Sequence, residues 1–166
     1  MALLKILEVP NPLLKKKCDP VAEVTNDLRK LMNNMLDTMY DAPGVGLAAP
    51  QVGILRRVAV VDITEDHSGL LELVNPEIIE RDGNQTGREG CLSLPGRQGV
   101  VTRPMKVKVH FQDRNGDAFE LETEGFEARA ICHELDHLDG TLYIDVMDRE
   151  LSEDEIKGHI PEDDEQ

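Results

Sequence analysis

Tryptophan is absent from this chain of 166 residues, and aromatic side chains make up only 3% of it. Its core therefore has to be built from Leu, Ile, Val, Met and Ala. No apolar run approaches the ~20 residues that a helix needs to cross a bilayer. Positive charge is also in short supply: the formal net charge is −15, which argues against direct binding to nucleic acid or to an anionic membrane. Cysteine is scarce and odd in number. Cys18, Cys91 and Cys132 cannot all pair within one chain, which points to a reducing compartment with thiols free for metal or catalysis. A secretory leader pattern is lacking too. In MALLKILEVPNPLLKKKC the lysines follow the apolar stretch, and no small-residue cleavage site follows them. The expectation is a cytoplasmic protein.

What is present suits one ordinary domain, with 40% hydrophobic and 31% charged residues. Acid is concentrated at one end: from Asp148 to Gln166 there are nine acids and two bases, so that stretch alone carries −7. The composition divides the chain into a single domain over 1–147 and an acidic C-terminal tail over 148–166, expected to be solvated and partly disordered.

From Asn26 to Asp41, Leu28, Leu31, Met32, Met35, Leu36 and Met39 follow helical spacing, with Thr25 or Asn26 placed as the cap and Pro43-Gly44 as the stop. The segment Gly44–Gln51 is too small-sided for a regular core element. Strand patterns follow at 57–63, 70–75, 105–113 and 118–123. Asn115-Gly116 offers the positive-φ pair of a tight hairpin turn. Gly125 to Leu138 reads as a second helix, ended by Gly140. Hairpins and separated helices, without βαβ alternation, predict an α+β fold: mostly antiparallel sheets around a central helix, with an amphipathic helix near the N-terminus.

That central helix carries His133-Glu134-Leu135-Asp136-His137. Residues four apart lie on one helical face, so both imidazoles can point at one ion. Glu134 projects beside them, near enough to take a proton from a water whose pKa the ion lowers towards ~7. Phe126, Ala130, Ile131, Leu135 and Leu138 give the helix an apolar side, so it is packed rather than a polar surface helix. Hydrolytic sites of this kind usually have three protein ligands and one open position. Gly140 fits the metzincin pattern, but Tyr143 occupies its third-histidine position. Glu153 and Glu155 are candidates of the thermolysin kind, though they lie in the acidic stretch. Upstream, Cys91 in Glu89-Gly90-Cys91-Leu92-Ser93 is the better candidate. Cys132, next to His133 on the helix, is rotated from it by about 100° and is expected to pack or to face a pocket wall instead.

Three segments in this order, GVGLAAPQ at 44–51, EGCLS at 89–93 and HELDH at 133–137, strongly resemble peptide deformylase of the common bacterial type. The likeness extends through about Met147. It implies removal of the N-formyl group from the initiator methionine of nascent polypeptides, with release of formate. It implies one divalent metal ion on Cys91, His133 and His137, natively Fe2+ and replaceable by Zn2+, Ni2+ or Co2+. Glu134 falls on the family's catalytic glutamate. Gln51 and the backbone N–H of Leu92 fall on its two donors to the formyl oxygen, where negative charge develops. Gly46 matches a backbone position that pairs with the bound peptide. Val45, Gly87, Phe126, Arg129 and Ala130 align with the methionine pocket, the stem of Arg129 lining it while its head reaches solvent. Glu89 and Arg103 match a carboxylate and guanidinium that support the metal site. The arginine that many relatives use to hold the substrate backbone is displaced by one position here, leaving Arg97 for that role. Relatives that dock on the ribosome through a long basic C-terminal helix differ from this chain, whose end is short and acidic. Any ribosome association would therefore use another surface.

Overall fold

The computed structural model describes residues 2–158. Helix α1 (Asn26–Asp41) begins where Thr25, rather than Asn26, accepts the N–H of Leu28 on its hydroxyl at 3.2 Å. Met32, Met35 and Met39 are fully buried. They pack with Leu28 against Leu47, Val58, Val60 and Val74, and burial of each contributes about 1.5–3 kcal/mol. The chain then forms β1 (Gly46–Ala48), a turn of 3-10 helix over Ala49–Val52, and β2 (Val58–Val61). The small residues 44–51, read as unsuited to a regular element, thus supply a short and wholly buried strand. Their size is what lets a strand lie so close beneath a helix.

Strand β3 (Leu71–Asp82) runs well beyond the expected end at Asn75. Asn75-Pro76 makes a bulge within it: Asn75 has φ 51° and the pairing register shifts between Val74 and Glu77. Two strands without a clear sequence pattern follow, β4 (Gln85–Cys91) and β5 (Leu94–Arg103). The hairpin of β6 (Lys106–Gln112) and β7 (Ala118–Glu124) forms as expected, but its turn is wider. Only Gly116 has positive φ, at 84°. The Asp113 carboxylate accepts the N–H groups of Asn115 and Asp117, closing a loop over residues 113–117 in place of a two-residue turn.

Helix α2 (Gly125–Leu138) lies across the sheet. The sheets are antiparallel throughout, with strand orders β1-β2-β3-β6-β7 and, with β8 at Arg149–Glu150, β4-β5-β8. β2 is buried on both faces: Val58 and Val60 meet α1, while Val61 joins Ile131, Leu135, Leu73, Val107 and Val109 under α2. The α+β expectation, with the HELDH helix at its centre, matches this architecture.

After α2 come α3 (Tyr143–Val146), β8 (Arg149–Glu150) and α4 (Glu153–Ile156). The folded body therefore continues past 147, where the acidic tail was expected to begin. β8 pairs with Gly99 and Val100 of β5, Leu151 is 4% exposed, and Ser152 and Glu155 cap α4 reciprocally. Backbone pairing and one buried leucine outweigh the local excess of acid. The rest of the expected tail, 159–166, lies outside the described residues.

Candidate metal centre and catalytic cleft

His133 and His137 sit one turn apart on α2, on its buried side. Cys91, the last residue of β4, brings its sulfur to 3.3 Å from His137 Nε2. The ligand atoms of Cys91, His133 and His137 all lie within 4.8 Å of one another. With metal–ligand bonds near 2.0–2.3 Å, a tetrahedral set needs its donors roughly 3.5 Å apart. A thiolate and two imidazoles at this spacing fit a divalent transition metal with one position left open. Among the described residues no other group of three or more His, Cys, Asp or Glu meets this spacing.

The surroundings orient each ligand. Gln51 is 1% exposed, and its Oε1 accepts the N–H of Ala48 at 2.9 Å. That bond fixes which end of the amide faces inward: Nε2 donates to Ser93 Oγ at 3.2 Å and to Cys91 Sγ at 3.5 Å. Glu89 Oε1 takes His133 Nδ1 at 2.9 Å, and the Glu89 carboxylate is gripped at both oxygens by Arg103. Asp136 holds the other side of Arg103 at 2.6 Å. The acid inside HELDH therefore serves the site through Arg103; its position three residues after His133 is the sequence signal for that. The Tyr143 ring lies nearly parallel to that of His133, with centroids 6.1 Å apart.

Charge in this region is set by burial and by these pairings. Burial alone would raise the Glu89 carboxyl, yet the hydrogen bonds from Arg103 and His133 hold it down at about 2. Glu134, 4% exposed, is pushed up to about 7 by burial against the opposing pull of His133. For His133, burial works towards the neutral form, but its bonds to Cys91 and Glu89 hold it well above its ordinary value. Burial and the neighbouring His133 hold His137 well below. Glu134 Oε1 and His137 Nδ1 are buried without a hydrogen-bond partner among the described residues. Gly46 lies directly over Glu134: a Cβ there would run into Glu134 Oε2, so only glycine leaves room for the carboxylate.

A cleft of about 420 Å³ opens above these groups. Val45, Gly46, Gln51, Glu89, Cys91, Leu92, Arg97, Phe126, Arg129, Ala130, His133 and Glu134 line it together. Val45 and Phe126 form exposed apolar lips, at 40% and 53%. His137 lies beneath the floor. Two expectations are corrected. Gly87 does not line the cleft; it backs onto the guanidinium of Arg129. Arg129 does not send its head to solvent: it is 5% exposed and bonded to Glu89 at 2.7 Å, because a buried carboxylate and two main-chain carbonyls offer it partners inside. Arg97 stands at the rim, its Nε and Nη2 engaged by Glu150 at 2.8 and 3.0 Å. Sequence reasoning passed over Ser93, fully buried two residues beyond Cys91, and Gln98, which also faces the cleft.

Comparison with known proteins places this arrangement. Residues 3–153 match the polypeptide deformylase family. A peptide deformylase of Lachnoclostridium phytofermentans is 52% identical over 153 residues, covering 92% of this chain and 94% of the relative. One from Caldanaerobacter subterraneus is 49% identical over 158 residues, covering 95% and 98%. Among solved structures, a peptide deformylase from Legionella pneumophila superposes with a TM-score of 0.86 at 45% identity, covering 88% of this chain and 86% of that one. The enzyme from Thermotoga maritima superposes at 0.85 and 40% identity, covering 89% and 99%.

Proposed function

The chain belongs to the polypeptide deformylase family, and from that premise we propose how its own residues share the work. The reaction is metal-dependent hydrolysis that removes the N-formyl group from the N-terminal methionine of nascent polypeptides and releases formate. Cys91, His133 and His137 hold the ion, Fe2+ in the cell and Zn2+, Ni2+ or Co2+ as replacements. When bound, such an ion supplies Lewis acidity towards the attacking water and the formyl oxygen.

The remaining steps fall to the protein. Glu134 takes the proton of the attacking water and delivers it to the departing amine. Its elevated pKa and its unpartnered Oε1 support that shuttle. Gln51 Nε2, trading its long 3.5 Å bond to Cys91 Sγ for the substrate, and the Leu92 N–H donate to the formyl oxygen as it gains charge. The bond from Ala48 keeps the Gln51 amide from turning its oxygen inward. Val45, Phe126 and Ala130 receive the methionine side chain, and the main chain at Gly46 pairs with the peptide. Arg97, with Nε and Nη2 bound to Glu150, keeps Nη1 for the substrate backbone. The enzyme acts in the cytoplasm on formylated nascent chains. A chain of net charge −15 reaches them without gripping nucleic acid; among the described residues no helix is long and apolar enough to cross a membrane.

The observation that carries this reading is the convergence of three ligand atoms within 4.8 Å beside Glu134 and the amide of Gln51. A formate-coupled assay on a formyl-methionyl peptide, with and without chelator, tests it. Wild type loaded with iron or nickel should release formate. Glu134→Gln should retain metal and lose about 10²–10⁴ in kcat, and Cys91→Ala should fail to hold the ion. A metal-loaded wild type that leaves the formyl peptide intact would sink the assignment. Metal retained by Cys91→Ala would sink the ligand set alone.

A further inference from the structure

Arg129 lies on α2 one turn before His133, and its guanidinium is turned into the protein. A carboxylate offers about four acceptor positions, and Glu89 has all of them filled. Oε1 takes Arg103 Nη2 and His133 Nδ1, both at 2.9 Å. Oε2 takes Arg103 Nε at 2.9 Å and Arg129 Nη1 at 2.7 Å. The two arginines are anchored differently. Arg103 is shared with Asp136, whereas Arg129 is tied to main chain, with Nη1 on Val101 O at 3.0 Å and Nη2 on Gln85 O at 3.4 Å. Arg129 thus fixes the Glu89 carboxylate relative to β4 and β5. It also shares the load: with it, two guanidinium groups face the carboxylates of Glu89 and Asp136, and without it Arg103 alone faces both.

Gly87 makes the seat. It lies between Gln85 and Glu89 on the same face of β4, and a Cβ there would meet Arg129 Nη2 at 3.2 Å and Cζ at 3.5 Å. The lack of a side chain at 87 is what lets the guanidinium slide under the strand to Glu89.

We propose that Arg129, seated against Gly87, is a positioning residue for the metal centre, holding Glu89 so that Glu89 in turn fixes the ring of His133. Residues that orient a metal-ligating histidine typically change metal affinity or activity by 10- to 100-fold when removed. The proposal rests on the ligand set Cys91, His133 and His137.

Its test is made on wild type, Arg129→Met, Arg129→Lys and Gly87→Ala loaded with Co2+. The visible bands of the ion and the rate at which a chelator removes it are recorded beside the Tm of the metal-free proteins. Arg129→Met should release Co2+ about 10–100-fold faster than wild type and shift its bands. Arg129→Lys should recover part of the loss, since it keeps the charge without the fork. Gly87→Ala should move both readouts in the same direction, more weakly. Should Arg129→Met fail to fold, the lysine and alanine variants decide. Lowered Tm with unshifted bands and release rates within about twofold of wild type in the folded variants would overturn the proposal, because that is what a merely structural arginine does. A wild type that takes up no Co2+ would overturn the ligand set beneath it.

Discussion

On the outer face of β3, β6 and β7, Lys108 lies 3.7 Å from Glu80 and 3.5 Å from Glu122, and the glutamates reach well into solvent. Beneath β4, Glu89 meets Arg103 at 2.9 Å and Arg129 at 2.7 Å, with every side chain of the group at 7% exposure or less. The outer face repeats its design: in cross-strand register, Lys106 stands between Asp82 and Glu124 as Lys108 stands between Glu80 and Glu122. Like residue types are in use in both places, and their consequences differ. Water solvates each charge of the outer rows whether or not its partner is near, so the rows keep the sheet soluble and add little else. Around Glu89 water is excluded, and each group depends on the others. A lost partner there leaves a buried charge that water is not there to take over.

The contrast can be broken by substitution. Glu89→Ala leaves Arg103 and Arg129 buried without their carboxylate, and should destabilise the metal-free protein by about 3–5 kcal/mol, or on the order of 10 °C in Tm. Thermal unfolding followed by circular dichroism measures it, and a shift as small as that of a surface mutant would end the argument from burial.

Asp62, at the end of β2, provides an intermediate case. It is 3% exposed and accepts bonds from Tyr40 Oη at 2.6 Å and from the N–H and hydroxyl of Thr64. Burial would raise its pKa, but the bonds from Thr64 and Tyr40 win and hold it below the usual carboxylate value. A group with its folded pKa lowered stabilises fully above its unfolded pKa of ~3.9 and loses that contribution as pH falls through the folded value. Wild type should therefore exceed Asp62→Asn in urea midpoint at neutral pH, and the gap should close as pH drops below about 4. A gap that stays constant down to the acid limb would show that the carboxylate's charge plays no part.

The smallest effect belongs to the outer rows. Glu122→Gln removes one of two carboxylates beside Lys108 and should move Tm by less than about 2 °C, less still in high salt. A loss comparable to that of Glu89→Ala would mean that the exposed rows work as a network.

Legibility from sequence followed the same division between local and distant causes. Helices α1 and α2 could be read because spacing, caps and stops all lie within the segment. The pairing of His133 with His137 on one face follows from helical geometry alone. Strands β4 and β5 could not be read that way. Gln85–Cys91 contains two glycines and four polar residues, and Leu94–Arg103 contains two glycines and a proline, so little in either favours an extended chain. They are strands because they pair with each other over Gln85–Gly90 and because β5 also receives β8. The strand pattern over 70–75 stops short of the end of β3 for a related reason: Pro76 interrupts the pattern locally, but pairing with β6 carries the strand across it as a bulge.

The residue types, their order, and the helix that presents two imidazoles and a carboxylate to one point were determined by sequence alone. Those are short-range facts, set by 3.6 residues per turn. The tertiary structure decided which thiol joins them, by ending β4 beside α2 so that Cys91 rather than Cys132 faces His137. It also decided that Arg129 turns inward. A long charged side chain follows the best solvation within its reach, and here Gly87 opens the way to a buried carboxylate that offers more than water does.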